Sequence, residues 1–528
     1  MNILYSFLDI LSGKYNIPLR RQKNHKLYIK MKLKILTGFL LFSSVFTNGQ
    51  EIFTLEKCRQ LAISNNKELK ISSTKIKIAG EEHNAARTKY FPQISANGTY
   101  MRNQKDIELV DYDELSSLSS LLPMLDPIIQ NNPELAGALH TVVNDVKSAT
   151  HLDIRNVWIG DISLVQPIFM GGKIVSYNRI ASYAKELAKS MNDLQLEEVI
   201  CKTDEAYWQV VSLVNKKNLA DNYVEMLNKT DSDITAMINE GIATKADGLS
   251  IKVKLNEAEM AQTKVNNGLS LSRMLLAQIC GLELNSQMTL VDEDTRHTIN
   301  QQTGKHEYTL QKKYADENTE LFLINETMAF PDINMAFSNR NELKSLELAT
   351  KIYKKKEDIV FADMLPNVAL TANYLVMNPN SYNGFKNDFG GMYNVGVAVK
   401  IPLSGWWVGT HKKNSARAET LIKQLEYEEA REKIELQVNQ SAYKVNEAGK
   451  QLNASMRNME KAEENMRYAD LGFKEGVIPV LNLMEAQMAW FSAHAQLIDA
   501  QIELKLTKVY FDKALGTLVT SRTDNDGT

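Results

Sequence analysis

Proline and cysteine are scarce in this sequence. Eleven prolines and 25 glycines among 528 residues favour long uninterrupted helices, because an internal proline kinks or breaks a helix. The three cysteines, Cys58, Cys201 and Cys280, lie far apart and form no CxxC pair. The spacing therefore suggests neither a zinc knuckle nor a disulfide framework. All three fall in helix-like segments, where we expect packed thiols.

Sequence signatures of catalysis are also missing. The eight histidines form no HExxH or His-x3-His pair, and no GxSxG, P-loop or GxGxxG pattern occurs. Adjacent acids such as Glu81 and Glu82 point to different faces of a helix, so they do not converge as an acid–base dyad. We therefore expect no enzyme, no resident metal and no cofactor.

Charge is distributed unevenly along the chain. Residues 1–49 contain eight Lys/Arg and one Asp, a net charge of +7, so the remainder carries −10 of the overall −3. A mildly acidic body argues against a nucleic-acid partner.

Long apolar runs are absent, and the most apolar segment lies near the N-terminus. Residues 31–50 read as a short basic region, an apolar core from Ile35 to Phe46 and small residues after it, which is the pattern of a secretory signal. A core of about twelve residues is too short to span a membrane, which takes ~20. We expect translation to start at Met31, with residues 1–30 an upstream artefact, and cleavage near Gln50. No cysteine follows the run directly, which argues against a lipid anchor.

One long stretch of the chain occurs twice. Residues 167–281 align without a gap on residues 402–516 at an offset of 235 positions. The coincident pairs include Pro167 with Pro402, Gly241 with Gly476, and Gly281 with Gly516. Upstream, an offset of 274 aligns Glu68-Leu69-Lys70 with Glu342-Leu343-Lys344, Pro92 with Pro366, and Tyr100 with Tyr374. A repeat of this size indicates one supersecondary unit used twice.

The repeat predicts the domain organisation. The two offsets differ by 39 positions, so the first copy carries an insertion. The expected segments are an N-terminal extension with its signal at 1–49, a first repeat at 50–281 with an inserted loop at 103–154, a linker at 282–338, a second repeat at 339–518, and a disordered tail at 519–528.

Each copy contains a very long helix that ends at a glycine. From about Gly172 to Glu240 the helix would measure roughly 100 Å, at 1.5 Å per residue, and the second copy repeats it up to Glu475. Its apolar residues follow the 3,4 spacing of a coiled-coil seam, namely Leu196, Val199, Thr203, Ala206, Val210 and Leu213. Turns at Gly241 and at Gly476 to Pro479 then predict return helices that end near Ile279 and Gly516.

Strict alternation predicts two strands in each copy. The four apolar faces are Ile94, Ala96, Gly98 and Tyr100; Trp158, Gly160, Ile162 and Leu164; Val368, Leu370, Ala372, Tyr374 and Val376; and Tyr393, Val395, Val397, Val399 and Ile401. Polar residues alternate with them, and Pro167 and Pro402 are expected to end their strands. The aromatic members Tyr100, Trp158, Tyr374 and Tyr393 could form an interfacial girdle or simply pack against a sheet.

Four strands cannot close a barrel by themselves, since about eight is the minimum. In an outer membrane every strand edge must be paired, and three protomers would supply twelve strands, an even number within the range of such barrels. The alternative is a soluble sandwich that buries these faces. Two strand pairs about 270 residues apart, each flanked by very long helices, suit that alternative poorly.

These features together resemble the TolC-like outer-membrane efflux proteins. The segments that carry the resemblance are Gln166-Pro167-Ile168-Phe169-Met170-Gly171-Gly172, its echo Ile401-Pro402-Leu403-Ser404-Gly405, the turn Glu240-Gly241-Ile242-Ala243-Thr244-Lys245-Ala246-Asp247, and Ala514-Leu515-Gly516-Thr517-Leu518. The resemblance implies a mainly α protein with a small β part, which as a homotrimer completes a 12-stranded β-barrel in outer-membrane lipid and an α-helical barrel in the periplasm. It also implies a periplasmic adaptor and an inner-membrane transporter as partners, and passive export of their cargo.

The resemblance further implies a constriction at the two helix turns. By turn spacing, Asp247, with Thr244 beside it, corresponds to a gating acid. The selectivity acids of the second turn correspond to Asn482 and Glu485, so one acid is missing, and Ile478 replaces a basic partner. Asp247 and Glu485 could equally be ordinary solvated carboxylates. A periplasmic coiled-coil adaptor or scaffold without a pore is the alternative function.

Overall fold

The computed structural model describes residues 52–108, 151–293, 332–384 and 386–518, with isolated positions at 134, 137, 138, 141, 142, 145, 298, 299, 306 and 307. The signal segment, most of the insertion at 103–154, most of the linker and the C-terminal tail lie outside the described residues. The predictions made for those segments are not addressed by the structure.

The first copy contains helices and strands in the expected order. In chain order they are β1 (Ile52–Phe53), α1 (Leu55–Asn65), α2 (Lys67–Thr88), β2 (Gln93–Arg102), β3 (Ile107–Glu108), β4 (His151–Leu152), β5 (Asn156–Phe169), α3 (Lys173–Asn239) and α4 (Lys245–Ile279). The segment predicted as linker contains the short strands β6 (Thr289–Leu290), β7 (Thr298–Ile299) and β8 (His306–Glu307). A single helical turn covers Val291–Glu293.

The second copy repeats the plan. Its elements are α5 (Ile333–Asn339), α6 (Asn341–Ala362), β9 (Asn367–Asn378), β10 (Gly390–Lys400), α7 (Gly405–Lys474) and α8 (Val480–Leu515). In the part of the chain that the structure describes, none of the helices combines the length and the apolar character that a bilayer crossing requires.

The chain divides into two units. The smaller unit contains β1 and β6, which pair in parallel through Ile52 with Thr289 and Phe53 with Leu290. The larger unit contains the remaining helices and strands.

Long antiparallel helices make up most of the larger unit. The α3 helix has 67 residues and α7 has 70, and they pack against their return helices α4 and α8. The shorter helix α2 lies along α3 as α6 lies along α7, while α6 and α8 also contact α3 and so join the two copies. Of the predicted seam, Val199, Thr203, Ala206 and Val210 are buried and Leu196 and Leu213 are partly buried. Neighbouring residues such as Ile200, Tyr207 and Val211 are buried as well, so the seam is part of a wider surface by which α3 contacts several helices.

Three boundaries differ from the sequence prediction. The second copy begins with α5 at Ile333, inside the segment predicted as linker. The helix expected over 53–90 is interrupted at Asn66, whose side-chain oxygen accepts the backbone N–H groups of Glu68 and Leu69 and so begins a new helix. The expectation that Pro167 ends its strand is wrong. The β5 strand continues to Phe169, because a register shift between Pro167 and Phe169 lets the chain stay paired with β9.

The four long strands form one antiparallel sheet in the order β10-β9-β5-β2. The outer pairs are the hairpins of the two copies, and the central pairing of β5 with β9 joins one copy to the other. Lys173 at the start of α3 forms an ion pair of 2.5 Å with Asp363 after α6. Gly171, with φ +61°, approaches so closely that a Cβ there would lie 2.8 Å from the Ala362 carbonyl oxygen.

The candidate functional site: a two-faced sheet and paired helical turns

One face of the sheet carries polar side chains on all four strands, with Ile159, Val165 and Leu375 of the central strands on the same face. Ser95 and Ser163 share a hydrogen bond of 2.7 Å between their hydroxyls, and the Asn97 amide donates to Asp161 over 3.1 Å. On the other hairpin, the Asn373 amide donates to the Asn394 side-chain oxygen over 3.1 Å. These hydrogen-bonded side chains are exposed, so this face is suited to contact with water.

The opposite face is apolar and exposed. Strand register places Ile94, Leu164, Ala372 and Val395 in one row across the sheet, and Ala96, Ile162, Tyr374 and Tyr393 in the next. Val395 is 68% exposed and Tyr393 78% exposed. The four predicted apolar faces therefore coincide in one continuous surface, because a side-chain period of two fixes the face once the register is set.

Aromatic side chains lie on this apolar face as expected. Tyr100 and Trp158 are cross-strand partners whose ring centroids are 4.5 Å apart, and Tyr374 faces Tyr393 across the second hairpin. A second group of exposed aromatic residues lies where strands meet helices, at Tyr90, Phe91, Phe169, Trp406 and Trp407. Sequence analysis did not single out that second group, although it marks the helix-side border of the sheet.

The sheet has two open edges. Among the described strands, β2 and β10 each pair on one side only, and ten and eleven residues respectively make up these edges. Long open edges invite pairing with another chain. The single chain therefore presents two complementary antiparallel edges and leaves both available.

At the far end of the helices, both long helices stop by the same backbone device. Gly241 and Gly476 have φ of +78° and +69°, a conformation that glycine adopts without steric cost. After each glycine the chain turns back. The Ile242 N–H donates to the Met237 carbonyl and the Val477 N–H donates to the Gly472 carbonyl, each over 2.8 Å. This 6→1 hydrogen bond satisfies a helix-end carbonyl and confirms the predicted turns.

Asp247 has a local partner in the first turn. Its carboxylate accepts the backbone N–H and the hydroxyl of Thr244 over 2.9 and 2.7 Å, while the Thr244 hydroxyl accepts the Asp247 N–H over 3.2 Å. This reciprocal pair is a capping box that begins α4. The Thr244 hydrogen bonds lower the pKa of Asp247, so the carboxylate stays charged. The Thr-x-x-Asp spacing could have revealed the cap from sequence.

The second turn is built differently. Pro479 precedes α8 and supplies no side-chain cap, and the Asn482 N–H donates to the Pro479 carbonyl over 3.1 Å. Asn482 and Glu485 are both exposed on the first turns of α8. Within one chain, Asp247 and Glu485 therefore lie on separate hairpins, and their assignment to a constriction stays a prediction.

A hydrophobic cluster holds the two turns at the same end of the molecule. It joins all four hairpin helices, and its buried members are Tyr223, Leu227, Ile234, Ile251, Ala258, Ala469, Phe473, Val480, Leu483, Met484 and Ala486. Tyr223 stacks on Phe491 with ring centroids 4.5 Å apart. Inside the same contact, the buried Gln487 amide donates to the Thr230 hydroxyl over 3.0 Å. No sequence signal marks that pair, because 257 positions separate its members.

A partly buried acid lies on α7, away from the turns. One carboxylate oxygen of Glu463 is buried and has no hydrogen-bond partner among the described residues. Burial raises the pKa of Glu463 to about 7, because the charged form loses hydration. The pKa of Glu463 is thus higher in the folded protein than the value of 4.5 expected in the unfolded chain. The stability that this group contributes is fully present below pH 4.5 and is lost as the pH rises through 7, because the buried carboxyl then has to ionise.

Glu463→Gln is therefore expected to stabilise the protein at pH 8 and to leave it nearly unchanged at pH 4. Water reaches part of the side chain, so screening limits the gain to roughly 1 kcal/mol. Denaturant midpoints at the two pH values measure it, and Glu464→Gln, on the exposed neighbour, is the control. An equal shift at both pH values would contradict the assignment to a buried charge.

Comparisons with known proteins match both the sequence and the fold. Residues 333–517 match the model of the family described as "Outer membrane efflux protein". No curated protein sequence matches the chain. Among solved structures, the outer-membrane channel OprN superimposes with a TM-score of 0.65 at 13% identity, covering 88% of this chain and 90% of that one.

Two further channels agree with that match. The outer membrane protein VceC of Vibrio cholerae gives a TM-score of 0.64 at 12% identity, covering 88% of this chain and 96% of VceC. The CmeC outer membrane channel of Campylobacter jejuni gives a TM-score of 0.65 at 13% identity, covering 89% of this chain and 88% of CmeC. The likeness extends over nearly the whole chain, so the fold expected from the TolC-like resemblance is confirmed.

Proposed function

We infer that this chain is an outer-membrane efflux protein, and we propose that three copies form the exit duct of an export system. The trimer spans the outer membrane and extends into the periplasm. It conducts passively what an inner-membrane transporter and a periplasmic adaptor deliver, in a tripartite efflux or type I secretion system. Membership in the family rests on the match over 333–517 and on the fold shared with three channels.

The observation that carries the proposal is the two-faced open sheet. An apolar face exposed on four strands has no cover within the chain's described residues, and a polar face lined with hydrogen-bonded side chains lies behind it. A lipid bilayer covers the first face and a water-filled lumen hydrates the second. A soluble sandwich would instead bury the apolar face against a second sheet.

The two open edges support a trimer. In lipid every backbone group needs a partner, so β10 of one protomer would pair with β2 of the next. Three protomers then give twelve strands and no remaining edge. The aromatic residues Tyr100 and Trp158 near one border, and Phe91, Trp406 and Trp407 near the other, would lie at the two membrane–water interfaces.

The helical turns support a cation-selective constriction on the axis of the trimer. Threefold symmetry would place three Asp247 and three Glu485 carboxylates around that axis, beside Thr244 and Asn482. Rings of carboxylates favour cations and bind multivalent ones. The capping box keeps Asp247 ionised and oriented, which makes it suited to such a ring.

The purified protein is expected to form trimers and to conduct ions when it is reconstituted in planar lipid bilayers. Multivalent cations added on the side of the turns should block the current. Asp247→Ala combined with Glu485→Ala should weaken this block, because the carboxylate rings are removed. An unchanged block would contradict the placement of these residues at the constriction.

Asp247→Asn separates charge from capping. An asparagine oxygen can still accept from Thr244, so the turn is retained while the charge is lost. If block weakens equally in Asp247→Asn and Asp247→Ala, charge is responsible. If multivalent cations block the Asp247→Asn channel as strongly as the wild type, the effect of the alanine variant comes from a disordered turn instead.

A periplasmic scaffold without a pore remains the alternative outcome. Membrane fractionation distinguishes the two functions, since a channel is recovered in detergent extracts of outer membrane and a scaffold in the periplasmic wash. Recovery in the wash, together with no conductance, would overturn the proposed function.

A further inference from the structure

The two copies contain the same helix junction. In each, a short helix lies against the C-terminal end of a return helix, α1 against α4 and α5 against α8. A Cβ on Gly281 would lie 2.4 Å from the Asn65 Cβ, and a Cβ on Gly516 would lie 2.9 Å from the Asn339 Cβ. These contacts are repeat equivalents, because Asn65 and Asn339 are separated by the same offset of 274 as the upstream repeat.

The second junction is fastened by an arginine. The guanidinium of Arg340 donates to the carbonyls of Lys513 and Ala514, each over 3.2 Å, and pairs with Glu342 at 2.8 Å. The Ala514 carbonyl lies in the last turn of α8, where helical N–H partners run out, and the Lys513 carbonyl also accepts the Gly516 N–H over 3.1 Å. The contact is a charge-assisted one, which is stronger than a neutral hydrogen bond.

The first junction lacks that arginine and has longer, neutral hydrogen bonds. The side-chain amides of Asn65 and Asn66 donate to the carbonyls of Cys280 and Ile279 over 3.5 and 3.3 Å. The hydrogen bonds across this junction are therefore weaker in the first copy than in the second, although both copies share its geometry. Another group at the same place could compensate for the difference.

Two cysteine side chains meet at this junction. Cys58 and Cys280 have no solvent exposure, and the Cys280 sulfur lies 3.6 Å from the Cys58 backbone oxygen. The facing Cys280 thiol, together with burial, raises the pKa of Cys58. The equivalent positions of the second copy hold Asp332 and Leu515, so the pair is specific to the junction without the arginine.

We propose that Cys58 and Cys280 form a disulfide bond that fastens α1 to the end of α4. The bond closes a loop of 222 positions and holds the beginning of the first repeat against its end. For its compartment the proposal rests on the proposed function, because an envelope protein meets an oxidising environment and a cytosolic one does not.

The oxidation balances as a thiol–disulfide exchange. One cysteine thiolate attacks the disulfide of an envelope thiol–disulfide oxidoreductase and releases one of its thiolates, which gives a mixed disulfide. The second cysteine thiolate attacks this mixed disulfide and releases the other. Two protons and two electrons leave the chain, and the oxidoreductase is reduced to its dithiol. Because both sulfurs are fully buried after folding, the exchange precedes the docking of α1.

Cys201 is an internal control in the same chain. It is also buried, but it packs with Val509 of α8 and with Leu518 after that helix. Burial raises its pKa to about 12, so the folded thiol is unreactive. We therefore expect Cys201 to be the one cysteine of the three that stays a free thiol, and to react only after the protein is unfolded.

The wild-type protein tests this directly. Cells are quenched in acid, the membrane protein is unfolded, and free thiols are alkylated with N-ethylmaleimide before any reduction. We expect one alkylated cysteine, Cys201, and a peptide pair joined through Cys58 and Cys280 that separates only on reduction, with a mass lower by two hydrogens, about 2 Da. Three alkylated cysteines would overturn the proposal.

Two further measurements make the result independent of the proposed function. The protein expressed without residues 1–49 stays in the cytoplasm and should carry three free thiols. Membrane fractionation of the same cells reports location separately. If the protein is found in the outer membrane with three free thiols, the proposed disulfide is wrong and the proposed channel stands. If the disulfide is found in a protein of the periplasmic wash, the proposed channel is wrong and the disulfide stands.

The contribution of the bond to stability is measured with serine variants. Cys58→Ser combined with Cys280→Ser should lower the thermal midpoint of the α-helical signal, and the wild type treated with reductant should fall by the same amount. Cys201→Ser is the matched control and should respond to reductant as the wild type does. A wild type that reductant does not affect would contradict a stabilising bond.

Discussion

Asp204→Ala is expected to destabilise the protein by about 3–5 kcal/mol, because it leaves the buried charge of Arg59 without its main partner. The Arg59 guanidinium donates to both oxygens of Asp204, over 2.6 and 2.5 Å, and the Asp204 side chain has no solvent exposure. Among the described residues, the carboxylate that would remain paired with the arginine is that of Glu56, at 2.7 Å and 60% exposed. Unfolding in guanidinium chloride, followed by circular dichroism in detergent, measures the decrease in the free energy of unfolding.

Two controls separate a buried charge from a general loss of packing. Glu429→Ala removes an exposed pair with Lys433, whose side chains are 61% and 70% exposed, and should cost 0–1 kcal/mol. Arg59→Met combined with Asp204→Leu removes both charges and should recover most of the stability, since apolar replacement of a buried pair is often neutral. If Asp204→Ala costs no more than Glu429→Ala, the ion pair does not hold α1 on α3.

Val395→Arg is expected to abolish stable trimers in the outer membrane. Val395 is 68% exposed on the apolar face, in the middle of the edge strand β10. An arginine on the lipid face of a barrel costs about 2–4 kcal/mol near the bilayer centre, and each protomer of the trimer would incur this cost. Semi-native electrophoresis of membrane extracts measures the heat-resistant trimer.

Asn394→Arg is the matched control because it lies next to Val395 on the opposite, polar face. It removes one exposed hydrogen bond from Asn373 but places its charge toward water. Trimer yield should therefore stay near the wild-type level. Equal losses in both variants would mean that neither face contacts lipid, which would contradict the proposed membrane orientation of the sheet.

Features with a short-range cause were predictable from the sequence. Alternation with a period of two identified the four long strands and their apolar faces, and the glycines at 241 and 476 identified both turns. The break at Asn66 and the capping box of Thr244 with Asp247 were missed, although both have local signals. Their residue types hydrogen-bond to nearby backbone N–H groups, which is a rule that sequence can express.

Contacts between distant segments were not predictable in the same way. Nothing in the sequence places Arg59 beside Asp204, 145 positions away, or Gln487 beside Thr230. The bulge that carries β5 past Pro167 depends on β9, which belongs to the other copy. Such contacts depend on how whole helices and hairpins pack together.

The sequence by itself determined the duplication, the long helices, the amphipathic strands and the turn glycines, because each depends on periodicity or on the backbone freedom of a single residue. Only the tertiary structure decided that β5 pairs with β9, that an arginine fastens one junction, and that two cysteines meet at the other. Those outcomes depend on the register between elements more than a hundred residues apart, and packing of the whole chain sets that register.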